Sequence, residues 1–122
     1  MKDILEKVRI VLVGTTHPGN IGAAARAMKV MAQKKLYLVS PKIFPSAEAT
    51  ARATGADDIL ANAVVCSDVK EAISDCDLVI GTTARSRSLS WPIVTPRECA
   101  ETVSESKYSN VAIVFGLSLI HI

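Results

Sequence analysis

Short, nearly unbroken runs of branched apolar residues recur along the chain: Val8-Arg9-Ile10-Val11-Leu12-Val13, Leu36-Tyr37-Leu38-Val39, Val64-Val65-Cys66, Leu78-Val79-Ile80 and Val111-Ala112-Ile113-Val114-Phe115. They lack the alternation of a strand with one wet face, and helix-period segments separate them. Strands of this kind belong to parallel sheets, whose crossover connections lay helices over both faces. The expected fold is therefore α/β, a mostly parallel sheet covered by helices on both faces. The 122 residues suffice for one such core. Hydrophobic residues make up 49% but aromatics only 4%, so Val, Ile, Leu and Ala must fill the interior.

Behind the first run, Gly14 and the polar turn Thr15-Thr16-His17-Pro18-Gly19 lead into a change of period. Ile21, Ala25, Met28 and Ala32 fall on one helix face, with Arg26 and Lys29 turned elsewhere and Asn20 at the N-cap. Ser46 is placed to cap a helix through Thr54, which Gly55 would end. Asp68 with Glu71 resembles a capping box for a short helix burying Val69, Ala72 and Ile73. Thr95-Pro96-Arg97-Glu98 supplies a cap, a first-turn proline and a returning glutamate. Asp57-Asp58 reads as a helix start or a solvated pair rather than an acid/base dyad.

A net charge of +2 with 21% charged residues describes an ordinary surface, so any basic site must be local. The opening residues mix both signs without an apolar core, and no run approaches the ~18 residues of a membrane span. Neither secretion nor membrane insertion is expected, and a cytoplasmic location is. Cys66, Cys76 and Cys99, accompanied by only two histidines, are expected to be reduced, buried thiols with no metal site.

Ligands of open α/β sheets bind beyond the carboxyl ends of the strands, so the segments after Val13, Ile80 and Phe115 belong together. The glycines of the first could receive an anion at a helix start. A dinucleotide site would want an acidic residue after the second strand, where Ser40-Pro41 stands instead, and there is no Gly-Lys-Ser/Thr of a P-loop. On residue type alone, Asn20 and Arg26 read as a cap and a solvated arginine. His17 reads as a turn residue. The second loop, from Gly81 to Pro92, sets Arg85 and Arg87 among hydroxyls beside Trp91, which suits phosphate contacts. It reads equally as a solvated loop anchored by Trp91.

Taken together, Asn20-Ile21-Gly22-Ala23-Ala24-Ala25-Arg26, Gly81-Thr82-Thr83-Ala84-Arg85-Ser86-Arg87, Trp91-Pro92, Pro96-Arg97-Glu98-Cys99 and Val114-Phe115-Gly116 resemble the SpoU-type branch of the SPOUT methyltransferases. Within it the likeness is to bacterial tRNA ribose methyltransferases. The resemblance implies the α/β-knot fold and a homodimeric enzyme that methylates a ribose 2'-hydroxyl of tRNA with S-adenosylmethionine, in a site shared between subunits. It makes Asn20 and Arg26 the catalytic positions, Thr82, Thr83, Ala84 and Gly116 cofactor-lining, and Arg85 and Arg87 RNA-binding. Arginine is an awkward general base, so Arg26 is expected to clamp phosphate and hydroxyl and to stabilise alkoxide charge. A non-catalytic RNA-binding α/β module is the alternative.

After Phe115-Gly116 the family pattern continues with Arg-Glu and a knot-forming segment, whereas here Leu117-Ser118-Leu119-Ile120-His121-Ile122 follows. Residues 1–116 are thus expected to be a partial catalytic domain lacking its C-terminal knotted segment, and 117–122 a non-native tail. The run Val111 to Phe115 is too apolar for an open edge, and cover for it is expected from outside the chain. The chain as written is expected to be marginally stable, to bind S-adenosylmethionine negligibly and to be inactive.

Overall fold

The computed structural model describes residues 4–14, 18–41, 53, 55–81, 96–105 and 107–115. Five strands form one all-parallel sheet: β1 (Val8–Val13), β2 (Leu36–Val39), β3 (Val64–Cys66), β4 (Leu78–Gly81) and β5 (Val111–Phe115), in the order β3-β2-β1-β5-β4. The helices are α1 (Ile4–Lys7), α2 (Pro18–Val30), α3 (Asp57–Ala61), α4 (Val69–Ile73) and α5 (Pro96–Val103). All five apolar runs became strands, and the parallel α/β expectation holds.

Strand alternation divides the interior between two faces. On one, Ile21, Ala25 and Met28 of α2 meet Leu36, Leu38 and the α3 residues Ile59 and Leu60. Beside them Val103 of α5 covers Val8 and Val111. On the other, Ala72 of α4 sits over Val11, Val39, Cys66, Ala112 and Val114. Small residues let the helices approach closely, as the scarcity of aromatics requires. The three cysteines are free, Cys66 buried and the others half-buried, and burial pushes the Cys66 and Cys76 thiols up.

Several expectations need correction. β5 does not want for neighbours: β1 pairs along one edge, Val8↔Val111 to Leu12↔Phe115, and β4 along the other, Leu78↔Val111 to Gly81↔Val114. Helix α2 starts at Pro18, whose fixed φ suits a first helical position, so Asn20 lies inside the first turn rather than at the N-cap. The same helix stops at Val30, and Ala32 is exposed in the left-handed region at φ 59°. Gln33 N–H bonds Met28 carbonyl at 2.8 Å and Ala32 N–H bonds Lys29 carbonyl at 3.1 Å. This is a Schellman ending with alanine where glycine is usual.

Other local signals hold. Asp68 accepts from Glu71 N–H at 2.8 Å, while the Glu71 carboxylate reaches past the cap to Ser67 N–H and hydroxyl at 3.1 and 3.0 Å. Helix α5 begins at Pro96 as expected, though Thr95 lies outside the described residues. So does most of the 46–54 helix, of which Ala53 is helical and buried. Gly55 follows at φ 82°. Helix α1 had no signal in the sequence. No helix among the described residues is long and apolar enough to cross a membrane.

Candidate active site

The strand order fixes where a ligand can sit. From β1 the chain steps outward to β2 and β3, then returns through β4 and β5 on the other side. The carboxyl ends of β1 and β5 therefore form the topological switch point. On the outgoing side this edge is laced by hydrogen bonds. Gly14 N–H donates to Val39 carbonyl at 2.8 Å, Ser40 N–H to Cys66 carbonyl at 3.0 Å, and the Ser40 hydroxyl to Ser67 carbonyl at 2.8 Å. Gly14 at φ 61° and Ser40 at φ 45° turn the chain sharply off the sheet.

Toward β5 the described residues are exposed: a Cβ at Gly14 would meet nothing within 4 Å among them, Gly81 is exposed at the end of β4, and Phe115 is 40% exposed at the end of β5. β4 and β5 are adjacent and parallel, so Gly81 and Phe115 end at the same edge. Thr82, Thr83, Ala84, Arg85, Arg87 and Gly116 all lie outside the described residues.

Helix α2 carries the other expected residues away from this edge. Ala25 is fully buried against the sheet, whereas Arg26 is exposed. With Ala23, Ala27, Val30 and Met31, Arg26 lines a groove of about 540 Å³ on the outer helix face. Val30 is 82% exposed and Met31 62%, an apolar strip rimmed by one cation. Helix rise places Arg26 about 12 Å from Pro18. Asn20 and Arg26 are thus on one helix, but Arg26 is remote from this chain's own switch point. Lys29 on the same helix bonds Asp58 of α3 at 3.0 Å and holds that carboxyl below its ordinary range.

Sequence reasoning missed the outer groove and the Phe115 ring. Ala23, Ala27 and Val30 at helical spacing are a second apolar stripe opposite the first, legible once the helix is granted. The exposure of Phe115 had no sequence signal. No group of His, Cys, Asp or Glu among the described residues is arranged to hold a metal ion.

The all-parallel sheet defines the class as an α/β protein, and in open α/β sheets ligands bind beyond the carboxyl edge. Residues 7–117 match the SpoU rRNA Methylase family, and the chain belongs to that family. It is 50% identical over 114 residues to the tRNA (cytidine/uridine-2'-O-)-methyltransferase TrmJ of Photorhabdus laumondii, covering 93% of this chain and 47% of that protein. It is 53% identical over 115 residues to the tRNA (cytidine/uridine/adenosine-2'-O-)-methyltransferase TrmJ of Pseudomonas aeruginosa, covering 93% and 45%. The crystal structure of TrmJ from Z. mobilis superposes with a TM-score of 0.82 at 39% identity, over 87% of this chain and 47% of that one. The chain spans about half the length of the curated relatives it matches.

Proposed function

We propose that this chain carries the catalytic α/β unit of a tRNA ribose 2'-O-methyltransferase acting in the cytoplasm with S-adenosylmethionine as methyl donor. The observation that carries the reading is Arg26, exposed on a helix of the family's first motif, in a chain about half identical to tRNA 2'-O-methyltransferases.

Two observations support the donor: among the described residues a Cβ at Gly14 would meet nothing within 4 Å, and in sequence Thr82 to Ala84 and Gly116 come next after the strands that end at Gly81 and Phe115. When bound, S-adenosylmethionine supplies an electrophilic methyl group. The protein's task is then to hold a ribose hydroxyl in line and to accommodate the charge on its oxygen as the proton leaves. A guanidinium keeps its protons at physiological pH, so it suits a clamp on phosphate and developing alkoxide better than a general base. Arg26 takes that role, Asn20 accompanies it from the first turn of the helix, and Arg85 and Arg87 grip tRNA phosphates.

Arg26 faces away from its own switch point and sits in an exposed apolar groove. A homodimer resolves both facts: a second copy covers Val30 and Met31 and presents its carboxyl edge to Arg26. The test is to incubate the full gene product with bulk tRNA and methyl-labelled S-adenosylmethionine, then digest the RNA to nucleosides. Label in 2'-O-methylnucleosides is expected. RNA binding with no transfer would return the chain to a binding module.

A further inference from the structure

Charge is unevenly placed along the chain. No Asp or Glu occurs between Glu6 and Glu48, although the whole chain carries 12 of them against 14 Lys and Arg. The helices follow suit: α1, α3, α4 and α5 each carry a carboxylate, whereas α2 carries none. Positive charge is thus concentrated on α2 and on the turn that leads from it into β2.

Several described cations of this stretch are already engaged. The buried Lys7 amine donates to the Glu105 and Tyr108 carbonyls at 3.0 and 3.1 Å, Arg9 pairs with Asp75, and Lys29 bonds Asp58. Arg26, Lys34 and Lys35 are left. Arg26 and Lys34 are exposed, Lys35 is half-buried, and none of the three has a carboxylate partner among the described residues. Nor are the two lysines needed to end α2, since Gln33 and Ala32 N–H already take the Met28 and Lys29 carbonyls. Val30 lies about 6 Å along the helix axis from Arg26, and Lys34 and Lys35 follow on the turn past that end.

We propose that Lys34 and Lys35 carry the tRNA strand onward from Arg26 by contacting phosphates beyond the methylated nucleotide. The inference rests on the methyltransferase reading above and adds to it a substrate surface outside the catalytic position. Binding of a polyanion draws free energy from counterions released as its phosphates are neutralised, and cations without a carboxylate partner are free to neutralise them. Pairing with Asp58 withdraws Lys29 from that role. Lysine ammonium groups meet phosphate as point charges and read no base, which suits a surface that holds the body of a tRNA rather than the nucleotide to be modified.

In the full gene product, Lys34→Gln and Lys35→Gln are combined in one variant. A control combines Lys70→Gln with Lys107→Gln, exposed lysines elsewhere on the fold, so that both variants lose the same charge. Affinity for bulk tRNA is measured over a range of salt concentrations, with sedimentation equilibrium and methyl transfer on the same samples. The Lys34→Gln, Lys35→Gln variant should weaken tRNA binding on the order of ten-fold at about 0.15 M salt and flatten the dependence of log affinity on log salt by about 1 to 2 units. Its KM for tRNA should rise while kcat and oligomeric state stay as in the parent, and the control should match the parent throughout. An unchanged slope overturns the proposal. An equal loss in the control also overturns it, by making the effect one of net charge, and so does a dissociated oligomer, which would assign these lysines to a subunit contact. Methyl transfer by the unaltered protein is read separately: transfer with an unchanged slope sinks the role of Lys34 and Lys35 alone, and a flattened slope without transfer sinks the enzyme reading alone.

Discussion

The guanidinium of Arg9 forks onto the carboxylate of Asp75, Nη1 to Oδ1 at 2.7 Å and Nη2 to Oδ2 at 3.0 Å. The partners differ sharply in exposure, 6% for the Arg9 side chain and 61% for Asp75. Arg9 also donates to the Ala72 carbonyl at 3.0 Å and lies 4.5 Å from the Tyr37 ring centre. Burial disfavours its charge, but the Asp75 hydrogen bond and nearby groups outweigh this and hold it above the ordinary arginine range.

The asymmetry makes the two truncations unequal. Asp75→Ala leaves a buried cation short of its counter-ion and should cost about 2 kcal/mol. Arg9→Met removes the donor to the Ala72 carbonyl as well as the ion pair, but it leaves no buried charge behind and should cost less, about 1 kcal/mol. Urea unfolding of both variants checks the order; a larger loss for Arg9→Met would show that the arginine is held mainly by packing.

Ala32 supplies a test of the helix ending. It adopts φ 59° at the position where glycine carries no steric penalty, and its side chain is exposed. Ala32→Gly should therefore stabilise the fold by about 0.5–1 kcal/mol, less than the full left-handed penalty because glycine also loosens the unfolded chain. A lower urea midpoint for the variant would contradict the Schellman assignment.

Asp77 sets an acid limb. Its carboxylate accepts from Ser109 N–H at 2.9 Å and Asn110 N–H at 3.0 Å, and its own N–H bonds the Asn110 carbonyl at 2.9 Å. The Ser109 and then the Asn110 hydrogen bond hold its carboxyl below the ordinary range. A carboxyl lowered by folding stabilises above its unfolded value of about 3.9, and the contribution fades as pH falls through the lower folded value. Asp77→Asn should thus lower stability at neutral pH and narrow the difference between pH 7 and about pH 2.5. Parallel stability-versus-pH curves for variant and parent would rule this out.

The proposed homodimer of the full gene product puts the outer face of α2 in its interface. Val30 is 82% exposed, so Val30→Asp should leave the far-ultraviolet dichroism of the fold intact. In sedimentation equilibrium the parent should be a dimer and the variant a monomer. A parent that is monomeric at all concentrations, or a variant that still dimerises, places the interface elsewhere.

Sheet architecture was legible because each strand announces itself as an unbroken apolar run, and parallel pairing follows from the helices between. The strand order was not: Val111–Phe115 is too apolar for an open edge, but nothing in it says that β1 and β4 of the same chain flank it. The end of α2 was hidden by Ala32, an apolar residue in phase with Ile21, Ala25 and Met28 that lacks the glycine signal of a stop. Its start was misjudged because Asn20 is a good cap by type, while Pro18 had already satisfied the first-turn geometry. For the site, the family resemblance singled out Arg26, which residue type alone read as a solvated arginine, and the helix period already turned it off the buried face of α2; the apolar groove around it became visible only in the structure. Partnerships such as Arg9 with Asp75 join residues far apart in the chain and leave no local pattern.

The account turns on Arg26, and methyl transfer by an Arg26→Ala variant of the full gene product tests it most directly, with the melting temperature measured on the same sample. The side chain is exposed, so the melting temperature should match the parent. Transfer of labelled methyl to tRNA should fall by about two orders of magnitude or more, as for loss of a group that stabilises developing charge. Activity within a few-fold of the parent, at equal stability, would contradict the assignment of Arg26 and with it the proposed mechanism.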